Sequence, residues 1–221
     1  MFSTDSLVVR VLSLLSDLLI LHFLWIICSL PVVTIGASTT ALYYAMMKRI
    51  RTDEGSIVSN FFSSFRLNLK QSTVLWIIEV LAIVVLLLDF RFCLMFSGQM
   101  RTFMLIAYAV IFIPISFTCL YLFPVQAKFD NPVKTNLKNA FIISILNFPY
   151  TLLLILFTGL ILIIGFLFPN LLLLLIIFGM GLYSYVTSFI YIHVFRKYIP
   201  NEAEEDFEKS GKNNIDKKKK K

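Results

Sequence analysis

Charge is scarce in this chain. Only 15% of its 221 residues are Asp, Glu, Lys or Arg, against about a quarter in a soluble globular domain. Cysteine is sparse too: Cys28, Cys93 and Cys119 stand far apart, with no CxxC spacing. A disulfide framework and a zinc site therefore lack their ligands, and the three thiols read as small packing residues. Histidine occurs twice, so no His/Cys cluster can form. No nucleophile elbow, phosphate loop or metal spacing is present. The expectation is a non-enzymatic protein with no cofactor, no metal and no catalytic residue.

What fills the chain instead is apolar. Hydrophobic residues make up 58% of it and mean hydropathy is +0.84. A soluble core of this size cannot hide so much Leu, Ile and Phe, and several runs exceed the ~18 apolar residues of a bilayer-crossing helix. A soluble enzyme and a disordered scaffold are both excluded. The net charge of +7 would suggest nucleic acid in a soluble protein. Here the cations lie between apolar runs or in the tail, so they orient the chain toward anionic lipid, with no nucleic-acid partner.

The apolar segments are Leu7–Leu30, Ala37–Met47, Gln71–Phe90, Phe103–Val125, Tyr150–Phe168 and Leu171–Phe195. The start, with Asp5 and one basic residue before a long apolar run, differs from a secretory signal; cleavage near Gly36-Ala37-Ser38 is the alternative. The second segment, at ~1.5 Å per residue, spans only roughly 20 Å. It either crosses with local thinning or dips in and returns. Ala37, Ala41 and Ala45 recur every four residues, a small-residue stripe suited to close helix packing. The fold expected is an all-α polytopic transmembrane helix bundle of six spans, the alternative being five spans plus a short re-entrant helix. Residues 1–199 form the membrane domain, and 200–221 form a charged tail expected to be disordered. Lys48, Arg49, Arg51, Arg66, Lys70, Lys128, Lys134, Lys138, Arg196 and Lys197 fall in alternate connections. The positive-inside rule makes those connections and the C-terminus cytoplasmic.

Ionisable residues inside spans are candidates for function because burying them is costly. Glu79 lies mid-segment three, on one helical stripe with Ser72, Ala82, Leu86 and Asp89. It suits a proton or cation relay, or a structural hydrogen bond. Asp17 and His22 sit about 140° apart on segment one and cannot serve one site. Gly181, Ser184 and Ser188 form a packing strip in segment six. Phe61, Phe62 and Phe65, followed by Arg66 and Lys70, suit an interfacial amphipathic helix. Asn-Leu-Lys occurs at Asn68 and again at Asn136, before two different segments, which hints at duplicated docking elements.

Two blocks of residues resemble the YesL-like family of small bacterial integral membrane proteins. The first holds Leu24-Trp25, Ser29-Leu30-Pro31-Val32-Val33-Thr34-Ile35-Gly36, Ala41-Leu42-Tyr43-Tyr44, Phe61-Phe62, Phe65, Asn68 and Lys70-Gln71-Ser72. The second holds Tyr121-Leu122-Phe123-Pro124, Phe129-Asp130-Asn131, Asn136-Leu137-Lys138-Asn139-Ala140 and Asn147-Phe148-Pro149. His22 and Ala37 depart from the family pattern. The resemblance implies a bacterial cell-membrane protein with an accessory or regulatory role beside a carbohydrate uptake system. Its partners would be components of an ATP-binding-cassette transporter or a sensor protein. Phe65, Asn68, Lys70, Asp130, Asn131, Asn136 and Lys138 are the candidate docking residues, and Pro31, Thr34 and Gly36 the structural turn. The alternatives are an autonomous transporter using Glu79 and a structural or lipid-binding protein anchored by its lysine tail.

Overall fold

A computed structural model of the chain describes residues 7–52, 56–168 and 172–199. The tail, and the Pro169-Asn170 break between the last two segments, lie outside them. The described residues form seven α-helices: α1 (Leu7–Ser29), α2 (Ile35–Thr52), α3 (Ile57–Leu94), α4 (Gly98–Lys128), α5 (Val133–Leu146), α6 (Phe148–Leu167) and α7 (Leu172–Phe195). Single 3₁₀ turns occur at Val32–Thr34 and Arg196–Tyr198. Four of the described helices, α1, α3, α4 and α6, are long and apolar enough to cross a membrane. The protein is an all-α membrane bundle, with four of the six expected crossings supported by length and composition.

The turn between α1 and α2 forms where the sequence places it. Pro31 cannot continue α1, because its nitrogen carries no hydrogen. The Thr34 hydroxyl then donates to Cys28 O at 2.6 Å and Pro31 O at 2.7 Å. The Cys28 carbonyl stranded at the end of α1 thereby gains a donor. Two residues on, Gly36 lets α2 lie against α3: a Cβ there would stand 2.5 Å from Ser72 O and 2.7 Å from the Trp76 Cβ.

From this contact α2 runs through the middle of the bundle. Gly36 to Tyr43 and Ala45 to Met47 are all buried, enclosed by α1, α3, α4 and α7. The helix has 18 residues, about 27 Å at ~1.5 Å each, longer than its apolar stretch suggested. Its hydroxyls are used internally. Thr40 Oγ1 lies 2.9 Å from Ser72 Oγ, and Trp25 Nε1 donates to Thr39 Oγ1 at 3.1 Å. Gly181 plays the part of Gly36 on the other side, where a Cβ would stand 2.5 Å from Leu18 O.

Two boundaries differ from the sequence reading. Phe61–Gln71 is not a separate interfacial helix: it continues into segment three as a single 38-residue helix. Phe61 is fully buried and stacks on Phe65, so these two rings pack into the bundle while Phe62 is exposed. Arg66 and Lys70 therefore stand on a helix, as Lys134 and Lys138 do on α5. Segment four also does not end at Pro124, since α4 passes through Pro114 and Pro124 to Lys128. Pro124 cannot bond the carbonyl of Leu120, and the Tyr191 hydroxyl of α7 donates to that carbonyl at 2.7 Å.

The close approaches carry a test. Gly36→Ala and Gly181→Ala should each destabilise the bundle by about 1–3 kcal/mol through overpacking. Gly159→Ala, where a Cβ meets nothing within 4 Å, should be neutral or slightly stabilising. Thermal unfolding of the three variants in one detergent reads the difference.

Candidate functional site

Asp17, one of the three candidate ionisable residues, lies midway along α1 and pairs with the cationic last turn of α2. Arg49 Nε donates to Asp17 Oδ2 at 2.6 Å. Both side chains are about one-fifth exposed, so the pair is partly screened and serves to fix α1 antiparallel to α2. His22, two turns away, is 3% exposed, near-parallel to the Trp25 ring at 6.4 Å and beside Gly181. It is a packed residue of the α1–α7 contact.

Glu79 is placed differently. Of its expected stripe, Ser72 and Leu86 are buried, Glu79 and Ala82 half-buried, and Asp89 exposed. The inner part of the stripe faces a cavity of about 680 Å³ bounded by α2, α3, α4, α6 and α7. Ile83, Leu87, Phe112, Phe123, Ile155 and Leu162 supply most of its wall. Polar side chains also line it, among them Thr39 and Tyr43 of α2, Glu79 of α3, Ser116 and Cys119 of α4, Thr158 of α6 and Tyr183 of α7. Two of them are tied together, with Thr158 Oγ1 3.0 Å from Tyr183 OH. Cys119 lines the same cavity as Glu79. Glu79 Oε2, though buried, has no hydrogen-bond partner among the described residues.

A carboxyl oxygen left in that state is costly. It is also the feature a bound donor would repair. An apolar concavity with a few convergent polar groups is the usual form of a small-molecule site, and this volume falls in the range of such sites.

The residues expected to dock a partner are distributed otherwise than the sequence suggested. Asn68 and Asn136 do not stand side by side on a surface; they meet inside the bundle on Gln126. Gln126 Nε2 donates to Asn68 Oδ1 and to Gln71 Oε1, both at 2.9 Å. Asn136 Nδ2 donates to Gln126 Oε1 at 2.7 Å and to Asn131 O at 3.1 Å. Asn136 is fully buried and Gln126 is 3% exposed. The expectation that Asn136 docks a partner directly is corrected: its amide joins α5 to α4. Phe65 packs against the cluster around Phe61, Asn131 is half-buried, and Lys70, Asp130 and Lys138 are exposed.

Gln126 was not singled out from the sequence. Its signal was there, since a lone amide beside an apolar run, two residues before the end of a helix, needs a partner. A second knot was missed for the same reason. Pro149 opens α6, and Asn147 at the bend donates to Ile143 O at 3.0 Å and Tyr198 OH at 2.8 Å. Lys197 Nζ donates to Asn147 Oδ1 at 3.2 Å. Among the described residues, no group of three His, Cys, Asp or Glu is placed to hold a metal ion.

Residues 18–90, about a third of the chain, match the family model described as "Protein of unknown function, DUF624". The match covers most of α1, all of α2 and α3 nearly to its end, and so includes Thr39, Tyr43 and Glu79 but not the α4, α6 and α7 walls of the cavity. No curated protein and no solved structure matches the chain.

The amide knot predicts a coupled response. Gln126→Leu and Asn136→Leu should each cost about 1–3 kcal/mol, because each strands buried polar groups. The double variant should cost clearly less than the sum of the two, as read by thermal unfolding of all four proteins.

Proposed function

We propose that the protein is a non-enzymatic, multi-pass membrane protein that binds a small amphipathic solute in the cavity around Glu79. One observation carries the reading: a buried carboxyl oxygen without a hydrogen-bond partner among the described residues stands in a largely apolar cavity. Such a site favours a ligand with an apolar body and a hydroxyl or ammonium donor. Transport of that solute is the natural extension, since the cavity is bounded by five helices and Pro114 lies on one of them. In this reading α2 and α7 complete six crossings, and the basic end of the bundle, with the C-terminus, is cytoplasmic.

The YesL-like resemblance adds a setting to this chemistry, an accessory role beside a carbohydrate uptake system. It is supported by the exposed Lys70, Asp130 and Lys138 at the basic end, which leave charged groups on a face whose amides are already used internally. ATP-binding-cassette transporter components or a sensor protein are the partners that fit it.

Cys119 makes the cavity testable. In a Cys28→Ala/Cys93→Ala background, a small thiol reagent should label Cys119. Alkyl glycosides or alkylamines of eight to twelve carbons should slow that labelling in a saturable way, and Glu79→Gln should weaken the protection about ten-fold or more. Protection that is absent, or unchanged in Glu79→Gln, would remove the cavity reading. For the accessory role, tagged protein taken from its native membrane should bring down a transporter or sensor subunit. Lys70→Glu/Lys138→Glu should lose that subunit, and retention of every partner in the variant would refute docking through this face.

A further inference from the structure

The Glu79 cavity is graded from its rim inward. Ile83 and Leu87 of α3, Phe112 of α4 and Leu162 of α6 line it yet remain exposed, Leu87 by 60% and Leu162 by 68%. Those three helices are apolar enough to cross a membrane, so the rim opens toward lipid. The inner wall includes Thr39 and Tyr43 of α2, both buried, Tyr43 to 4% exposure. Glu79 is half-buried as a residue, but its Oε2 is enclosed. An amphiphile entering from the bilayer meets apolar side chains first and polar ones last.

The charge balance of the lining then selects the headgroup. Among the described residues that line the cavity, Glu79 is the only acid and none is Lys, Arg or His. A carboxylate in an apolar wall without a counter-charge is costly. A hydroxyl headgroup gives Oε2 a hydrogen bond but leaves that charge standing. An ammonium supplies both, through a charge-assisted N–H···O bond. Aromatic side chains are also concentrated here: Tyr43, Tyr108, Phe112, Phe123 and Tyr183 all line the cavity. Aromatic rings accommodate a cation better than aliphatic walls do, because their faces carry partial negative charge. Resting on the reading of this cavity as a solute site, we infer that its ligand is a protonated amine on an apolar chain, taken from the lipid phase and held with its ammonium on Glu79.

The test compares decylamine with decyl glucoside, which share a chain and differ in headgroup. Each is added at equal mole fraction to the full-length Cys28→Ala/Cys93→Ala protein in neutral-detergent micelles, and the labelling rate of Cys119 is followed. Labelling of Cys28, which lies outside the cavity, in a Cys93→Ala/Cys119→Ala protein corrects for the charge the amine gives the micelle. Decylamine should protect Cys119 at about one-tenth the mole fraction the glucoside needs, the gap between hydrogen bonds to charged and to neutral partners. Glu79→Gln should weaken the amine more than the glucoside and close that gap to within about three-fold. A glucoside that protects as well as the amine, or an amine preference that survives in Glu79→Gln, overturns the ammonium assignment and leaves the cavity reading standing. Protection by neither compound removes both. The ratio measured with Glu79 intact decides the matter even where Glu79→Gln fails to fold.

Discussion

Everything in this bundle is arranged around the obligation to enclose α2. The helix carries Ser38, Thr39 and Thr40 in succession within one turn and cations at its end, and lipid offers such groups no partners. It is therefore wrapped by α1, α3, α4 and α7, and the wrapping works only because Gly36 brings α3 to within touching distance of its backbone. Thr40 then reaches Ser72, and Trp25 reaches Thr39. The remaining helices sit where they do because α2 has to be covered on every side.

Enclosure of that kind leaves imperfections, and the polar chemistry of the protein gathers at them. Proline breaks the backbone ladder at Pro124, and an α7 tyrosine repairs it. Where α5 bends into α6, Asn147 is tied to the end of α7 by Tyr198 and Lys197. Gln126 gathers Asn68, Gln71 and Asn136 from two other helices. In each case a polar group is tied to a partner on another helix, although Asn136 Oδ1 is left without one. Glu79 Oε2 is the exception among the described residues of the cavity wall, which is why the functional reading rests on it.

Much of this layout was legible in the sequence. The segments around Leu7–Leu30 and Tyr150–Phe168 agree with helices to within two residues, because long apolar runs bounded by Pro or charge admit one reading. The turn at Pro31, Thr34 and Gly36 was legible for the same reason. The limits of α3 and α4 were not. Arg66, Asn68 and Lys70 look like loop residues when hydropathy is the guide, yet nothing in them breaks a helix. Pro124 looks like a helix end unless the distant Tyr191 is known to supply the missing bond. Asn68 and Asn136 were legible as a pair but not as an inward-facing one, since periodicity cannot tell a polar face turned to water from one turned to another amide. The cavity was least legible of all, being a property of five helices together and of no single stretch.

The bond from Tyr191 to Leu120 also has a bearing on how the chain is made. Seventy-one residues separate donor from acceptor, so α4 is synthesised well before the hydroxyl that closes its ladder. Until the last helix arrives, the Leu120 carbonyl lacks its donor from α7. Arrival of α7 seals α4, and the aromatic contacts of Tyr191 with Tyr43 and Tyr121 close over α2 at the same moment. The later helix thus closes over the earlier ones: the order of synthesis leaves the Leu120 carbonyl to be capped only once α7 has been made.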